Sequence, residues 1–424
     1  MDFKKTVNTF WSLKNQEIIS CLSCMLMVVG LFFGRALLSI GMIVFFLNSL
    51  HPDKIVANWQ QFRSNRFAVL CTLLLVIYLA TGLWSDDKER WWSDVQIKLP
   101  FIFLPFAMLD APFRQQRYLK SIILTLLLCT FGGMLYGFLS LTFASHHTGE
   151  HIKSPLEGDY IRFTIAIVLT TLFVIYLYRN RTRFHLGKPA IALLLLWSLV
   201  AVLYIHVQAS KTGLLSFYIL VAFFILHALV RQKRGLLVVA GMMLAGIAGV
   251  FLFSKLPSVQ RQIEGFEFEK RVWETSDTTG YNQSFSFVPR LISYELAGKV
   301  IAEHPIAGVG TGDVMTVIDT TYALRYPNIR REGRILPHNQ FMCTALAAGI
   351  PTGIFLLMLV WVPMFTKRNR NIFSITTFVI LFMGMMIEPM LEVQYGVFVY
   401  LFFTLLWERI ATTYPIEASQ PSKN

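Results

Sequence analysis

Charge is what this sequence has least of. Asp, Glu, Lys and Arg make up 15% of its 424 residues, against 55% that are hydrophobic. That balance excludes an ordinary soluble domain of this size. Cysteine is scarce as well. Cys21, Cys24, Cys71, Cys129 and Cys343 all lie in or beside apolar runs, which excludes a disulfide scaffold. Cys21 and Cys24 form a CxxC, but no second pair and no nearby histidine accompany it, so they read as small apolar filler and not as a metal or redox pair. No D-x-D pattern is present, so no carboxylate clamp for a metal-held leaving group is written in the chain. No period of roughly 20–50 residues repeats, which excludes a solenoid. The first apolar run has no small-residue cleavage site, so it reads as a signal anchor.

What the sequence does have is long apolar runs. Many approach or exceed the roughly 18–20 residues that span about 30 Å of hydrocarbon. The expected fold is an all-α integral membrane protein with about twelve transmembrane helices. The expected spans are residues 17–34, 36–50, 67–84, 99–110, 119–143, 161–178, 189–207, 213–230, 236–253, 342–365, 372–388 and 396–412. The fourth is short and holds Pro100 and Pro105, so a kink or a re-entrant segment is expected there.

The net charge of +13 follows from topology and not from a nucleic-acid partner, because the cations sit in short loops. Alternate loops carry Lys4, Lys5 and Lys14; Lys54, Arg63 and Arg66; Arg114, Arg117 and Lys120; Arg179, Arg181, Arg183 and Lys188; Arg231, Lys233 and Arg234; and Lys367, Arg368 and Arg370. Basic loops face the cytoplasm. Both termini are then cytoplasmic, and one long loop, about 254–341, faces outward. The chain divides into 1–253, about nine spans; 254–341, the outer loop; and 342–424, three spans and a short cytoplasmic tail.

Within the outer loop, 257–286 is a mixed-charge segment that reads as a surface helix and a turn. Arg290 then opens a helix whose apolar face is Leu291, Tyr294, Ala297 and Ile301. Pro305 stops it and GVGTGD makes a turn. Arg325, Arg330, Arg331 and Arg334 precede the pair His338-Asn339. A helix started near Pro337 sets Ala345, Gly349 and Thr352 within about 40° of His338. Ala345, Gly349 and Gly353 form a small-xxx-small stripe that lets membrane helices approach closely. On the residues alone, two readings of His338 stand open: an interfacial histidine at a helix end, or an inward-facing site residue.

Weaker candidates surround it. Asp86, Asp87 and Glu89 suggest a metal, but Lys88, Arg90, Trp91 and Trp92 among them favour a solvated interfacial loop. The GVGTG turn is only superficially a phosphate loop, since it follows a helix. His146, His147 and His151 read as a mobile polar loop before a metal trap. Glu388, ending a span, either pairs with a cation of the site or marks the interface.

His338-Asn339, then nine residues, Gly349, two residues and Thr352 match H-[NSQ]-x9-G-x-x-[GTY]. Together with Arg290 and PIAGVG at 305–310, this resembles the O-antigen ligase and O-antigen polymerase superfamily, which also holds protein O-oligosaccharyltransferases. The N-terminal half resembles the family in hydropathy alone. The resemblance implies a bacterial inner-membrane, multi-pass enzyme that moves a glycan from a polyprenyl (undecaprenyl) diphosphate carrier to an acceptor hydroxyl on the periplasmic face. It implies no cofactor and no metal. His338 would be the base, since histidine titrates near neutrality. Arg290, Lys211 and Arg334 would hold the diphosphate, with Asn339, Gly349 and Glu388 in support. Family members usually carry an arginine in a serine-arginine pair where SKTG here has Lys211, which keeps the charge and loses the bidentate fork. A ligase acting on lipid A-core or a similar acceptor is the first reading. A polymerase comes second and a protein O-oligosaccharyltransferase third. A lipid-oligosaccharide flippase is the rival from another class, and it would need charges lining a central path.

Overall fold

The computed structural model describes residues 13–108, 115–143, 154–155, 160–232, 264–267, 269–271, 274 and 287–414. Among the described residues there is no strand. Apolar runs with no water to satisfy their backbone groups form helices, the one element that bonds its own amides. Helices α1 (Leu13–Phe33) and α2 (Arg35–Ser49) are a hairpin broken at Gly34. Glycines let them touch: a Cβ on Gly30 would land on the Leu38 backbone, and one on Gly41 on Met27. Asn48 Nδ2 closes the hairpin by donating to the Gln16 carbonyl at 2.9 Å and the Ser20 hydroxyl at 2.7 Å. Next come α3 (Pro52–Ser64), α4 (Arg66–Ala80), α5 (Lys88–Lys98) and α6 (Pro100–Ala107). Four spans follow: α7 (Gln116–Phe143), α8 (Tyr160–Arg179), α9 (Lys188–Gln208) and α10 (Lys211–Gln232). The outer loop contributes α11 (Val288–Glu303) and α12 (Val314–Arg325). The chain ends with α13 (Gln340–Trp361), α14 (Ile372–Ile387) and α15 (Gln394–Thr413).

Eight of these helices, α1, α4, α7 to α10, α13 and α15, are long and apolar enough to cross a membrane. The expected count of twelve is met in part. α14 is apolar but shorter, with 16 residues, and α2 with α3 forms a pair bent by 106°. The expected span at 99–110 is the eight-residue α6, with Pro105 inside it. The run at 236–253 lies outside the described residues, as do HHTGEH, Arg114, Lys233, Arg234 and most of 257–286.

Two observations fit a bilayer. α9 turns Leu193, Leu195, Leu196, Leu199 and Leu203 outward, an apolar surface that water does not tolerate over such length. The core sits instead around α15, whose Trp407 ring stacks on Phe173 at 4.5 Å and Phe373 at 5.1 Å between centroids. The basic loops gather at one end of the bundle. Gln116 donates to the Arg183 carbonyl, Lys120 to the Phe184 carbonyl at 3.3 Å, and Asn65 to Glu408 at 3.2 Å. The Arg183 guanidinium lies 5.1 Å over the Tyr414 ring. Residues 287–338 pack on the opposite end, against the starts of α5 and α13.

One expectation is corrected. α13 is not one continuous helix: Ala348 (φ −139°) and Gly349 (φ 83°) break it. The 305–310 segment docks into the break. Val309 N–H donates to the Leu346 carbonyl at 2.8 Å and Gly310 N–H to Ala347 at 3.1 Å, while Ile350 N–H donates to Pro305 at 2.8 Å. A Cβ on Gly349 would land on the Ile306 carbonyl. The face expected from unbroken helical spacing therefore ends at Ala347. Gly349 serves backbone contact and left-handed φ, not packing between helices.

Candidate functional site

Three chain segments meet at the end of the bundle away from the basic loops. Asn339 starts α13: its side-chain oxygen accepts from Phe341 N–H at 2.9 Å and Met342 N–H at 3.1 Å, and its amide donates to the Met386 carbonyl at 3.3 Å. His338, just before this cap, is held by its backbone, since the Tyr294 hydroxyl of α11 donates to its carbonyl at 2.8 Å. Glu388 closes α14 and is buried, its side chain 6% exposed.

The side chains converge on that carboxylate. Arg290 Nη2 lies 3.1 Å from Glu388 Oε1, and His338 Nδ1 lies 3.2 Å from Oε2. The second contact is close but off line, so Nδ1 is enclosed without an aligned hydrogen bond. The His338 side chain is nevertheless 24% exposed, and that exposure belongs to the rest of the ring, Nε2 included. Arg290 is similarly open and keeps further N–H donors beyond the one given to Glu388. Burial raises the Tyr294 phenol above its ordinary range, with Arg290 pulling it down and Glu388 pushing it up. It stays neutral and donates.

Sequence reasoning placed these residues with mixed accuracy. Of the two readings of Glu388, the structure shows the ion pair. On α11 the buried stripe is Ile292, Leu296, Ala297 and Val300, one residue displaced from the expected face, and this frees Tyr294 to reach His338. Arg334 is turned elsewhere: Nε donates to the Ile329 carbonyl at 3.3 Å and Nη1 to the Asp319 carbonyl at 3.0 Å, bracing the loop. Lys211 is the exposed first residue of α10. Its turn stands against the first turn of α8, where a Cβ on Gly213 would meet Thr164. That same turn carries Arg162, which donates to the Pro389 carbonyl at 3.3 Å beside Glu388. Asp86 and Asp87 present backbone amides to the Asp313 carboxylate, at 2.7 and 3.0 Å, and Asp87 caps α5. The amides of Val309 and Gly310 in the GVGTG turn are taken by α13 carbonyls.

Below the carboxylate, a polar set was missed: buried Lys98, Gln340, Thr344 and Tyr78 with half-buried Glu392. No local pattern marks it, because Lys98 lies 294 residues from Glu392 and Tyr78 lies 266 residues from Thr344.

A groove of about 320 Å³ starts at Asn339 and Met386 and runs between Ile301, Phe341, Met342, Ile350, Ile354 and Leu357. Its walls are aliphatic and aromatic, and it opens beside the His338 segment. A larger cavity of about 640 Å³ lies at the basic end, among Asn65, Arg66, Glu408 and Arg409, far from this cluster. The smaller groove lies beside the cluster: Asn339, next to His338, and Met386, two residues before Glu388, line it.

A family model described as O-antigen ligase matches residues 196–357, a stretch that holds Lys211, Arg290, His338 and Gly349. None of the curated proteins matches the chain.

Proposed function

We propose that the chain, whose residues 196–357 match a family model described as O-antigen ligase, is a member of that superfamily and moves a glycan from a polyprenyl diphosphate carrier to an acceptor hydroxyl at the periplasmic face of a bacterial inner membrane. We take it as a ligase acting on lipid A-core or a similar acceptor. One observation supports this most: Arg290 and His338 both approach the Glu388 carboxylate, beside an apolar groove that Asn339 and Met386 line. The carrier's tail is suited to the groove, which leaves its diphosphate beside the cations.

In this reading the acceptor oxygen attacks the anomeric carbon and its proton passes to His338 Nε2. The bond from that carbon to the diphosphate oxygen breaks, and its electron pair stays with the leaving group. Attack opposite the leaving oxygen inverts the anomeric centre. Glu388 lies beside Nδ1, at the other ring nitrogen from the one that takes the proton. Arg290 and Lys211 meet the charge growing on the diphosphate, where such contacts act most strongly. Arg334 acts by holding the loop. No divalent ion enters this scheme.

A polymerase, whose acceptor is a second lipid-linked repeat, shares the same chemistry, and a protein O-oligosaccharyltransferase is the third reading. A flippase fits less well, since the charges described here gather at the two ends of the bundle and do not line a path. The deciding experiment analyses lipid-linked and surface glycans in a deletion strain. Ligase loss removes all long chains from the acceptor and leaves polymer on the carrier. Single repeats remaining on the acceptor would instead mean polymerase.

A further inference from the structure

The turn between α14 and α15 is held from several directions. Arg290 of α11 takes Glu388, and Arg162 of α8 takes the Pro389 carbonyl. Gln340, the first residue of α13, donates to Glu392 Oε1 at 2.7 Å and accepts from Leu391 N–H at 2.6 Å. Lys98, the last residue of α5, has no exposed surface at all. Its Nζ lies 3.0 Å from Glu392 Oε2, 3.5 Å from the Leu391 carbonyl and 4.8 Å from the centre of the Tyr78 ring. Gln340 also reaches the Thr344 hydroxyl, which pairs with the Tyr78 hydroxyl at 3.0 Å.

An ion pair whose lysine is wholly buried and whose glutamate is 24% exposed is a poor device for stability, because desolvation offsets most of the attraction. Apolar residues of similar volume would hold three helices together as well. The position of this pair explains more. Gln340 is two residues beyond His338, and Glu392 is four beyond Glu388. His338 and Glu388 stand on separate segments, and their 3.2 Å approach depends on how α13 meets the 388–392 turn.

We propose that Lys98 and Glu392 are positioning residues for the transfer reaction: their pairing orients the Glu392 carboxylate to clamp Gln340, and so registers His338 on Glu388. The inference rests on His338 acting as the base. Lys98 fixes one carboxylate oxygen, which leaves the other aimed at Gln340. Without the lysine a half-buried carboxylate loses its counter-charge, and the clamp loses its geometry.

The test uses the full-length protein in lipid nanodiscs, with lipid-linked donor and purified acceptor, and compares Lys98→Met, Glu392→Gln, the double variant, Gln340→Met and His338→Ala. Misplacing a catalytic group by about 1 Å lowers turnover by about 10²-fold. Lys98→Met and Gln340→Met should therefore lose kcat by about 10-fold or more, with donor KM within about 2-fold. The double variant should recover most of the kcat that Lys98→Met loses, because an amide at 392 still accepts from Gln340 and no charge is left unpaired. Normal kcat in Gln340→Met, or a well-folded double variant no better than Lys98→Met, overturns the proposal. Should Lys98→Met fail to fold, Gln340→Met and the double variant decide it by the same measures. His338→Ala separates the two failures. If it transfers normally, the site reading falls; if it is inactive while Gln340→Met is normal, only the positioning role falls.

Discussion

At the scale of single residues, the cluster assigns different losses to different side chains. His338→Ala removes proton abstraction, so the transfer rate should fall by about 10²–10⁴-fold while donor binding survives. Arg290→Ala should weaken both binding and rate, because it leaves the buried Glu388 without its guanidinium as well as stripping a contact from the diphosphate. Lys211→Arg should match or exceed the parent, whereas Lys211→Ala should be impaired. Donor affinity and initial transfer rate, with folding checked separately, distinguish these outcomes; near-normal transfer by His338→Ala would leave the histidine as a held helix end. His338 and Gly349 were readable because a spaced signature carries them. Lys98 was not, since a lone lysine before an apolar run says nothing about a glutamate 294 residues away. Arg334 misled for a related reason: nearness in sequence to a histidine does not tell which way a guanidinium fork points.

At the scale of elements, α13 shows where periodicity stops being informative. A glycine at a regular small-residue spacing reads as a helix-packing surface, yet Gly349 has φ 83° and backbone against backbone. Only knowledge of the segment docked opposite, 305–310, turns the same letter into a break. Gly349→Ala should therefore lower stability by about 1–3 kcal/mol from backbone strain alone, with the displaced Ile306 carbonyl adding to it. Gly298 in α11 is the control: an added Cβ there meets nothing within 4 Å. Gly298→Ala should be neutral or stabilising by up to about 1 kcal/mol. Thermal unfolding of both variants in the same detergent checks the pair; equal midpoints would mean that the break does not depend on glycine.

At the scale of the whole molecule, hydropathy was the most legible layer, because a long apolar run in lipid has little choice but to be a helix. The expected spans at 99–110 and 372–388 are short helices in the structure, α6 and α14, where proline and polar helix ends interrupt the run. Two predictions belong here. A reporter after Glu332 should register as periplasmic and one after Arg183 as cytoplasmic; a cytoplasmic signal after Glu332 would put His338 on the wrong side of the membrane for a periplasmic acceptor. Activity of the purified protein should also persist in excess chelator. Loss that a divalent ion reverses would return Asp86 and Asp87 to consideration.

The break in α13 also bears on how the chain is made. Inside a bilayer, an interrupted helix exposes amides and carbonyls that lipid cannot satisfy. Here their partners lie in residues 305–310, earlier in the chain than the helix they complete. A growing polypeptide thus emerges with the splint before the fracture. When residues 340–361 leave the ribosome, the strip that satisfies their broken turn is already available, and the span can settle without waiting for anything still to be synthesised.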